Sequence, residues 1–431
     1  MNSEDNLIQE KPIKQKTQKS ACYFLIFICI FMYVSMMGAK NLYTAEIIEI
    51  IDAFGSTRAK ASMANTLYYI TYAAVQIVLF FCFYKLNLKR FLSVTIAISA
   101  INIVVTGFVT DMWQIWLLFA VNGCLQAGGY AGIMLIFAKN LPYKYLAGTN
   151  RIVSSSGVAA NVLSFGFATV SVSFFDWRFG FYVLGGLFVL SVLVFAFSYS
   201  GTVKAIKERE KEAETACDNS VPLKAEPEIY ADISGKNKKA VFYAVVLVEI
   251  FLFNALHFAV NNWFSDILYN VYNIPKNYSM LITIVVPMVI LLGPIISIGY
   301  TEKHPDVLRG ALLFASVTLI FPLYMIFFYD LNVIATILVL LLYLILINGG
   351  RIFFSSIMAF RMRKVLNAGS YSAITNASAS VAAGVAPTVV GFIADLGGWG
   401  VSFLSLFIIN AVLALSILVA VFIFKKLGIT K

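Results

Sequence analysis

The feature that most restricts the fold of this chain is a series of long apolar segments. Of its 431 residues, 60% are hydrophobic and only 13% are charged, about half the charged fraction of a typical soluble protein. A helix of about 20 apolar residues is long enough to cross a bilayer. We therefore predict an all-α integral membrane protein with twelve transmembrane helices, near residues 21–43, 63–84, 91–110, 113–138, 148–174, 178–200, 239–264, 279–300, 309–329, 332–358, 369–394 and 399–424.

One polar segment interrupts the apolar series. Residues 201–238 are rich in Lys and Glu and contain two prolines, which is typical of a solvated and partly helical linker. The linker divides the chain into a six-helix bundle at 21–200 and a second one at 239–424, flanked by polar tails at 1–20 and 425–431. The first tail lacks the small-residue cleavage site of a signal peptide, so we expect the apolar run after it to be a retained helix.

The basic residues predict the orientation of the helices. If the N-terminus is cytosolic, 26 of the 32 Lys and Arg residues fall in cytosolic segments and four in outer loops, while Lys40 and Arg351 lie within or at the ends of helices. This asymmetry follows the positive-inside rule and places both termini in the cytosol. It also accounts for the net charge of +10 without a nucleic-acid partner. We expect the plasma membrane, in the simplest case a bacterial inner membrane.

Twelve helices in a six-plus-six arrangement resemble the major facilitator superfamily, and three local motifs agree. The segment MWQIWLLFAVNGCLQAGGYAG at 112–132 resembles its fourth helix, DWRFGF at 176–181 the start of its sixth, and GFIADLGGW at 391–399 its turn from helix eleven to twelve. The resemblance implies two pseudo-symmetric six-helix bundles and secondary transport of a small molecule around a central site. It also implies a monomer in the lipid bilayer.

The loop after the second predicted helix departs from the superfamily pattern. Phe80 and Tyr84 stand where a Gly and an Asp are expected, although the bases that follow are kept. The equivalent loop in the second half retains more of the pattern. The resemblance places the cytosolic gate at Lys85, Lys89, Arg90, Glu302, Lys303 and Arg309.

Within the superfamily, the spacing is most similar to the organophosphate:phosphate antiporters, which take up glycerol phosphate or hexose phosphates. Their first helix has an Arg-Lys-Asn-Phe stretch, and the residues from Ala39 onward read AKNL here. Tyr72 occupies the place of a Tyr that lines their site. Their seventh helix has an Arg six residues before a Trp, and that position is His257 here. Ala39 and His257 thus replace the two phosphate-binding arginines.

Charged residues inside apolar helices mark the predicted central site, because a charge at the bilayer centre costs at least about 2.5 kcal/mol. Lys40 either contacts an anion in a central cavity or extends to the outer interface. His257 binds an anion when protonated, carries a coupled proton, or packs as a neutral ring. Arg351 suits a carboxylate or phosphate, unless it belongs with the bases on the cytosolic side. Glu249 is either a proton carrier or a partner for a cation such as Arg351.

Uncharged polar residues complete the predicted substrate site. Asn254, His257 and Asn261 fall on one helix face, as do Tyr72 and Gln76. The remaining predicted substrate contacts are Asn41, Gln126 and Asn376.

Sequence motifs give no indication of an enzyme. The chain has no GxxxxGK[ST] phosphate-binding motif and no Cys/His cluster with the spacing of metal ligands. We therefore expect no cofactor and no metal, and transport driven by ion or solute gradients. The favoured interpretation is ion-coupled transport or exchange of a small organic solute, expected to be anionic. Export of an amphipathic or cationic compound with Glu249 as the anionic contact, and a receptor or sensor without transport, both stay open.

Overall fold

The structure is a computed structural model that describes residues 4–82, 85–213, 236–304, 306–361 and 368–426. Nearly all of these residues are helical, and none of them forms a β-strand. The prediction of an all-α fold is confirmed.

The first half of the chain forms eight helices. They are α1 (Glu4–Ala45), α2 (Ile47–Ala53), α3 (Arg58–Cys82), α4 (Leu88–Thr106), α5 (Met112–Gln126), α6 (Gly129–Asn140), α7 (Tyr143–Phe174) and α8 (Trp177–Ala213).

The second half follows a similar plan, with several long helices broken into shorter ones. They are α9 (Lys236–Tyr272), α10 (Lys276–Thr283), α11 (Val285–Ile290), α12 (Leu292–Lys303), α13 (Val307–Thr318), α14 (Ile320–Phe328), α15 (Val333–Ile352), a π-helical turn (Phe353–Ile357), α16 (Met358–Arg361) and α17 (Ala368–Lys426).

The described helices account for the twelve predicted crossings. Ten described helical segments, some of which combine consecutive helices, are long and apolar enough to cross a membrane. The last of these, Ile374–Lys426, has 53 residues and contains Gly398 with a left-handed φ of 72°, so it forms two crossings. The helix α3 is not among the ten, but its 25 residues span about 37 Å at 1.5 Å per residue. We count it as the twelfth.

Two helices extend beyond the predicted boundaries. α1 begins at Glu4, within the predicted N-terminal tail, and α8 continues to Ala213, within the predicted linker. Lys and Glu favour helix formation, and Lys204 pairs with Glu208 one turn later at 3.6 Å. The rest of the predicted linker, residues 214–235, lies outside the described residues.

Polar side chains begin several helices where loops join them. Asn87, Asp306 and Asn332 precede α4, α13 and α15, and each accepts hydrogen bonds from backbone N–H groups of the first turn. Such caps satisfy donors that have no partner within the helix. They fix the short connections between antiparallel helices.

Glycines set the closest helix contacts. A Cβ added at Gly123 of α5 would lie 2.1 Å from the carbonyl oxygen of Tyr68 in α3, and one at Gly293 of α12 would lie 2.2 Å from that of Ile345 in α15. Lipid tails are as apolar as leucine, so close packing replaces the hydrophobic effect as the force between these helices. Each half therefore has its own glycine-dependent contact.

We name the two ends of the bundle by residues. The Arg58 end is where α1 ends, α3 begins, α9 ends and α10 begins; the Lys89 end is where α3 ends and α4 begins. The sequence predicts that the Lys89 end faces the cytosol.

Candidate functional site

The two halves of the chain meet where helices of the first bundle pack against helices of the second. α3 packs along α17, and α7 packs against α10 and α11. Thr66 of α3 donates to the carbonyl oxygen of Gly384 in α17 at 2.7 Å, and its hydroxyl lies 2.6 Å from that of Thr388. The preceding residue, Asn65, donates to Asn262 of α9 at 3.3 Å. The site described below lies on this interface between the halves.

The first ionic contact between the halves is the Arg58 cluster, made of Arg58, Asp266 and Asp395. Arg58 Nε lies 2.7 Å from Asp266 Oδ2, and Arg58 Nη1 lies 3.4 Å from Asp395 Oδ1. Asp395 also accepts from the backbone N–H groups of Arg58 and Ala59. A residue of the first half thus binds two carboxylates of the second at the Arg58 end.

The second is the Lys276 cluster, made of Lys276, Glu49 and Asp52. Lys276 begins α10, and its Nζ lies 2.8 Å from Glu49 Oε1 and 2.6 Å from Asp52 Oδ2 of α2. Arg58 and Lys276 are two of the four basic residues in the predicted outer loops, and the sequence pattern predicts no further role for them. The acidic residues in the same predicted outer segments are the feature of the sequence that could have indicated ion pairs there. The two clusters hold the Arg58 end closed.

Lys40 lies inside the protein. Its side chain is 4% exposed, so it does not extend to the interface in this conformation. Nζ lies 2.9 Å from Tyr69 Oη and over the rings of Tyr69 and Tyr68, 4.3 and 5.0 Å from their centroids. Such rings attract a cation without neutralising it. Among the described residues, no carboxylate pairs with Lys40.

Arg351 is the second cation of the predicted site, contributed by the other half. Its Nη1 donates to Asn254 Oδ1 at 3.1 Å, and Asn254 donates in turn to the Ile250 carbonyl. No described carboxylate forms an ion pair with it. The pairing of Glu249 with Arg351, which the sequence left open, is not formed: Glu249 Oε2 instead accepts from Ser416 Oγ at 3.0 Å.

His257 is linked to Lys40 through a series of aromatic rings. It is 7% exposed, and Nδ1 has no partner among the described residues. Its ring meets Phe258 edge-on at 5.1 Å, and Phe258 lies 6.0 Å from Tyr69, which binds Lys40. Asn261, one turn farther along α9, is partly exposed. Lys40 of the first crossing and His257 of the seventh are therefore linked across the interface through Tyr69 and Phe258.

Three further predicted residues join the halves towards the Lys89 end. Asn376 of α17 donates to Gln76 Oε1 at 2.9 Å, and Gln76 donates to Tyr72 Oη at 3.1 Å. Asn41 instead donates to Asn161 of α7 at 3.0 Å, within the first half.

Gln126, another predicted substrate contact, is hydrogen-bonded within the first half. It is fully buried, accepts from Tyr68 Oη at 2.8 Å and donates to Ser99 Oγ at 2.8 Å. Ser99 donates onward to Asn122. Because both ends of the amide are bonded within the first half, Gln126 holds Tyr68, whose ring lies beside Lys40, in place.

Two of the predicted gate residues make side-chain contacts within their own half in the described part of the chain. Lys89 donates to Ser200 at 2.9 Å, and Arg309 pairs with Asp306 at 3.0 Å on its own helix. The other four, Lys85, Arg90, Glu302 and Lys303, have exposed side chains. Tyr84 lies outside the described residues. The contacts that do close one end are the Arg58 and Lys276 clusters.

Comparison with known proteins agrees with this arrangement. The family model described as the Major Facilitator Superfamily matches residues 21–386. The chain belongs to this superfamily. Membership indicates a membrane transporter rather than an enzyme and supports secondary transport of a small molecule. No curated protein matches the sequence.

Solved transporters share the fold at low identity. A bacterial homologue of the human lysosomal transporter Spinster, inward-facing and occupied, has a TM-score of 0.70 at 14% identity, covering 94% of this chain and 98% of its own. The nucleoside transporter NupG has 0.67 at 15%, covering 95% and 99%. The D-xylose-proton symporter has 0.67 at 12%, covering 92% and 97%. These identities establish the fold alone, and the organophosphate branch stays a prediction.

Proposed function

We propose that this chain is a secondary transporter that moves a small organic anion across the plasma membrane by alternating access of its two bundles, 21–200 and 239–424. It acts as a monomer, and the distribution of basic residues places both termini in the cytosol. The clusters that close the Arg58 end then close the outer side.

The observation that carries the proposal is a pair of cations with neutral partners, of which Lys40 is buried and Arg351 is half-buried. Lys40 of the first half contacts the hydroxyl of Tyr69, and Arg351 of the second half contacts the amide of Asn254. Removing a charge from water costs several kcal/mol unless an opposite charge accompanies it. An anionic substrate between the halves would supply that charge to both cations.

The surroundings suit an organic rather than an inorganic anion. Tyr68 and Tyr69 present rings to Lys40, and Tyr72 and Phe258 contact those rings in turn. Rings provide apolar surface with specific geometry. His257 adds an imidazole nitrogen without a partner, which donates to an anion when it is protonated.

A carboxylate fits these residues better than a phosphate. Ala39 and His257 occupy the positions of the two phosphate-binding arginines in the organophosphate antiporters. Paired guanidinium groups bind a phosphate dianion through several parallel hydrogen bonds, whereas an ammonium acts as a single point charge. We therefore place this transporter outside the phosphate-selective group.

Glu249 and His257 are the proposed proton carriers within the second half. The Glu249 carboxyl is buried between α9 and α17, and Ser416, which binds it, is neutral. Gain and loss of a proton there would change the charge of the bundle during the cycle.

The test is a thermal-shift screen of the purified protein against carboxylates, sugar acids, sugar phosphates, phosphate and hydrophobic cations. A ligand of the folded state raises the melting temperature. Lys40→Gln should weaken binding of the best anion at least about tenfold, equivalent to about 1.4 kcal/mol. Lys204→Gln is the matched control, because Lys204 is 76% exposed.

Stabilisation by hydrophobic cations alone would refute the anion proposal and favour an exporter of cationic compounds. A bound anion without flux in proteoliposomes would favour the receptor interpretation. Anion binding of equal strength in Lys40→Gln would refute the assigned role of Lys40.

A further inference from the structure

A second buried carboxyl lies outside the site described above. Glu46 occupies the joint between α1 and α2, and it is fully buried. Neither of its carboxyl oxygens has a hydrogen-bond partner among the described residues. Sequence analysis did not single it out, because it follows the first predicted helix.

Ser171 of α7 supplies a third buried oxygen beside this carboxyl. Its hydroxyl lies near Glu46 without meeting hydrogen-bond geometry, and it too has no partner. A Cβ added at Gly180 of α8 would lie 2.6 Å from Glu46 Oε1 and 2.9 Å from Ser171 Oγ. The two residues therefore border one small space that only a glycine leaves open.

The charged groups around Glu46 do not neutralise it. Its charged neighbours are Glu49 on α2 and Asp176 at the start of α8, and both are acidic. The bases at this end are bonded elsewhere: Arg178 donates to carbonyl oxygens of the α4–α5 loop, and Lys276 binds Glu49 and Asp52. A buried carboxylate without a counter-charge is strongly disfavoured.

We propose that Glu46 and Ser171 bind a small monovalent cation, either H⁺ or dehydrated Na⁺. Both satisfy the same chemistry, since a proton makes the carboxyl neutral and able to donate to Ser171, and Na⁺ takes oxygen ligands. The space beside Gly180 is too small for a hydrated ion. No described Asp, Glu, His or Cys group is arranged for a larger metal site.

The position of this cation site suits the coupling of a cation to transport. Glu46 follows Lys40 by six residues on the same helix, or about 9 Å at 1.5 Å per residue. It directly precedes α2, whose Glu49 holds Lys276 of the other half. A cation bound at Glu46 changes the charge beside Glu49, so cation binding and the contact of Glu49 with Lys276 are coupled. This role in coupling rests on the proposed function, whereas cation binding does not.

The binding test uses the purified full chain without any anionic substrate. Its melting temperature is measured in NaCl against choline chloride of equal ionic strength, and from about pH 5.5 to 8.5. We expect either a rise of about 2 °C or more at about 150 mM Na⁺, or a stability that is highest in acid and falls as the pH rises. The second result follows because a carboxyl that holds its proton when folded loses that stabilisation on ionisation.

Glu46→Gln keeps the shape and removes the charge, so the Na⁺ effect should disappear, or the dependence of stability on pH should shrink to the part that Glu249 and His257 contribute. Glu208→Gln is the matched control, because Glu208 is exposed at the far end of α8. An unchanged Na⁺ and pH response in Glu46→Gln overturns the site. If that variant fails to fold, Ser171→Ala replaces it: a tenfold rise in half-saturating Na⁺ or a shifted pH midpoint supports the site, and an unchanged response overturns it.

Flux separates this inference from the proposed function. In proteoliposomes, Glu46→Gln should abolish gradient-driven accumulation of the anion and keep anion exchange, since exchange needs no net cation movement. Gradient-driven accumulation equal to the parent's overturns the coupling role. Absence of anion flux in the parent refutes the proposed function and leaves the cation-binding result standing.

Discussion

Replacing Arg58 by alanine should open the Arg58 end. Arg58 Nε lies 2.7 Å from Asp266 Oδ2, and these side chains are 21% and 2% exposed. Truncating one partner of a buried charge pair costs 2–5 kcal/mol, largely because the other charge stays buried and unpaired. We use about 2–3 kcal/mol, at the lower end, because Arg58 is partly solvated. Since Arg58 and Asp266 belong to opposite halves, this energy stabilises only the closed arrangement.

The assay is the alkylation rate of a cysteine placed at Asn65, in a background without the five native cysteines. Asn65 is 2% exposed and binds Asn262 across the interface, so a maleimide reaches it only when the halves separate. If the Arg58 end opens and closes faster than the cysteine is alkylated, the alkylation rate is proportional to the fraction of molecules whose Arg58 end is open. A loss of about 2–3 kcal/mol then predicts a rate about 30–150 times higher. Detergent-solubilised protein exposes both ends equally to the reagent.

Arg178→Ala is the matched control for Arg58→Ala. Arg178 lies near the same end, but its guanidinium donates to the carbonyl oxygens of Gly107 and Val109 within the first half. The Arg178→Ala substitution should therefore destabilise the first bundle without opening the interface between the halves. An unchanged rate in Arg58→Ala, or an equal acceleration in Arg178→Ala, would show that the Arg58 cluster does not hold the end closed.

Three further predictions test packing and the site. Gly123→Ala should destabilise the protein by about 1–3 kcal/mol, seen as a lower melting temperature, because its Cβ would meet the Tyr68 carbonyl; Gly157→Ala, with open space around it, should have little effect. Lys40→Arg should retain more anion affinity than Lys40→Gln in titrations, because it keeps the charge; equal loss would contradict a point-charge role. Glu249→Gln should leave anion binding intact and lower proton-driven uptake, and loss of binding would place Glu249 in the substrate site.

The number and order of the helices could be predicted because they depend on local composition. Long apolar runs enter lipid wherever they occur in the chain, so all twelve crossings are found in the described structure. The ends of the helices were harder to predict. α1 and α8 continue through Lys- and Glu-rich segments, since those residues favour helix while hydropathy records only their polarity.

The contacts of the site depend on packing and could not be predicted from local pattern. Lys40 donates a hydrogen bond to Tyr69 on the next crossing, and Arg58 donates one to Asp266 in the other half of the chain. Gln126 illustrates the same limit: the sequence shows a buried amide, but only the structure shows that Tyr68 and Ser99 use both of its ends. Polar residues in apolar helices therefore predicted the region of the site. The role of each residue depends on its bonding partners, which only the structure shows.

The placement of charge explains how an anion could drive the conformational cycle. A ligand shifts an equilibrium only through its different affinity for the two states. Lys40 and Arg351 lie on opposite halves, so an anion that contacts both binds best when the halves are close around it. Without the anion, repulsion between the two cations favours separation, and at the Arg58 end the two ionic clusters oppose it. An anion with one carboxylate and an aromatic or apolar body would contact Lys40, His257 and the rings together, and its binding would stabilise the occluded state that precedes release.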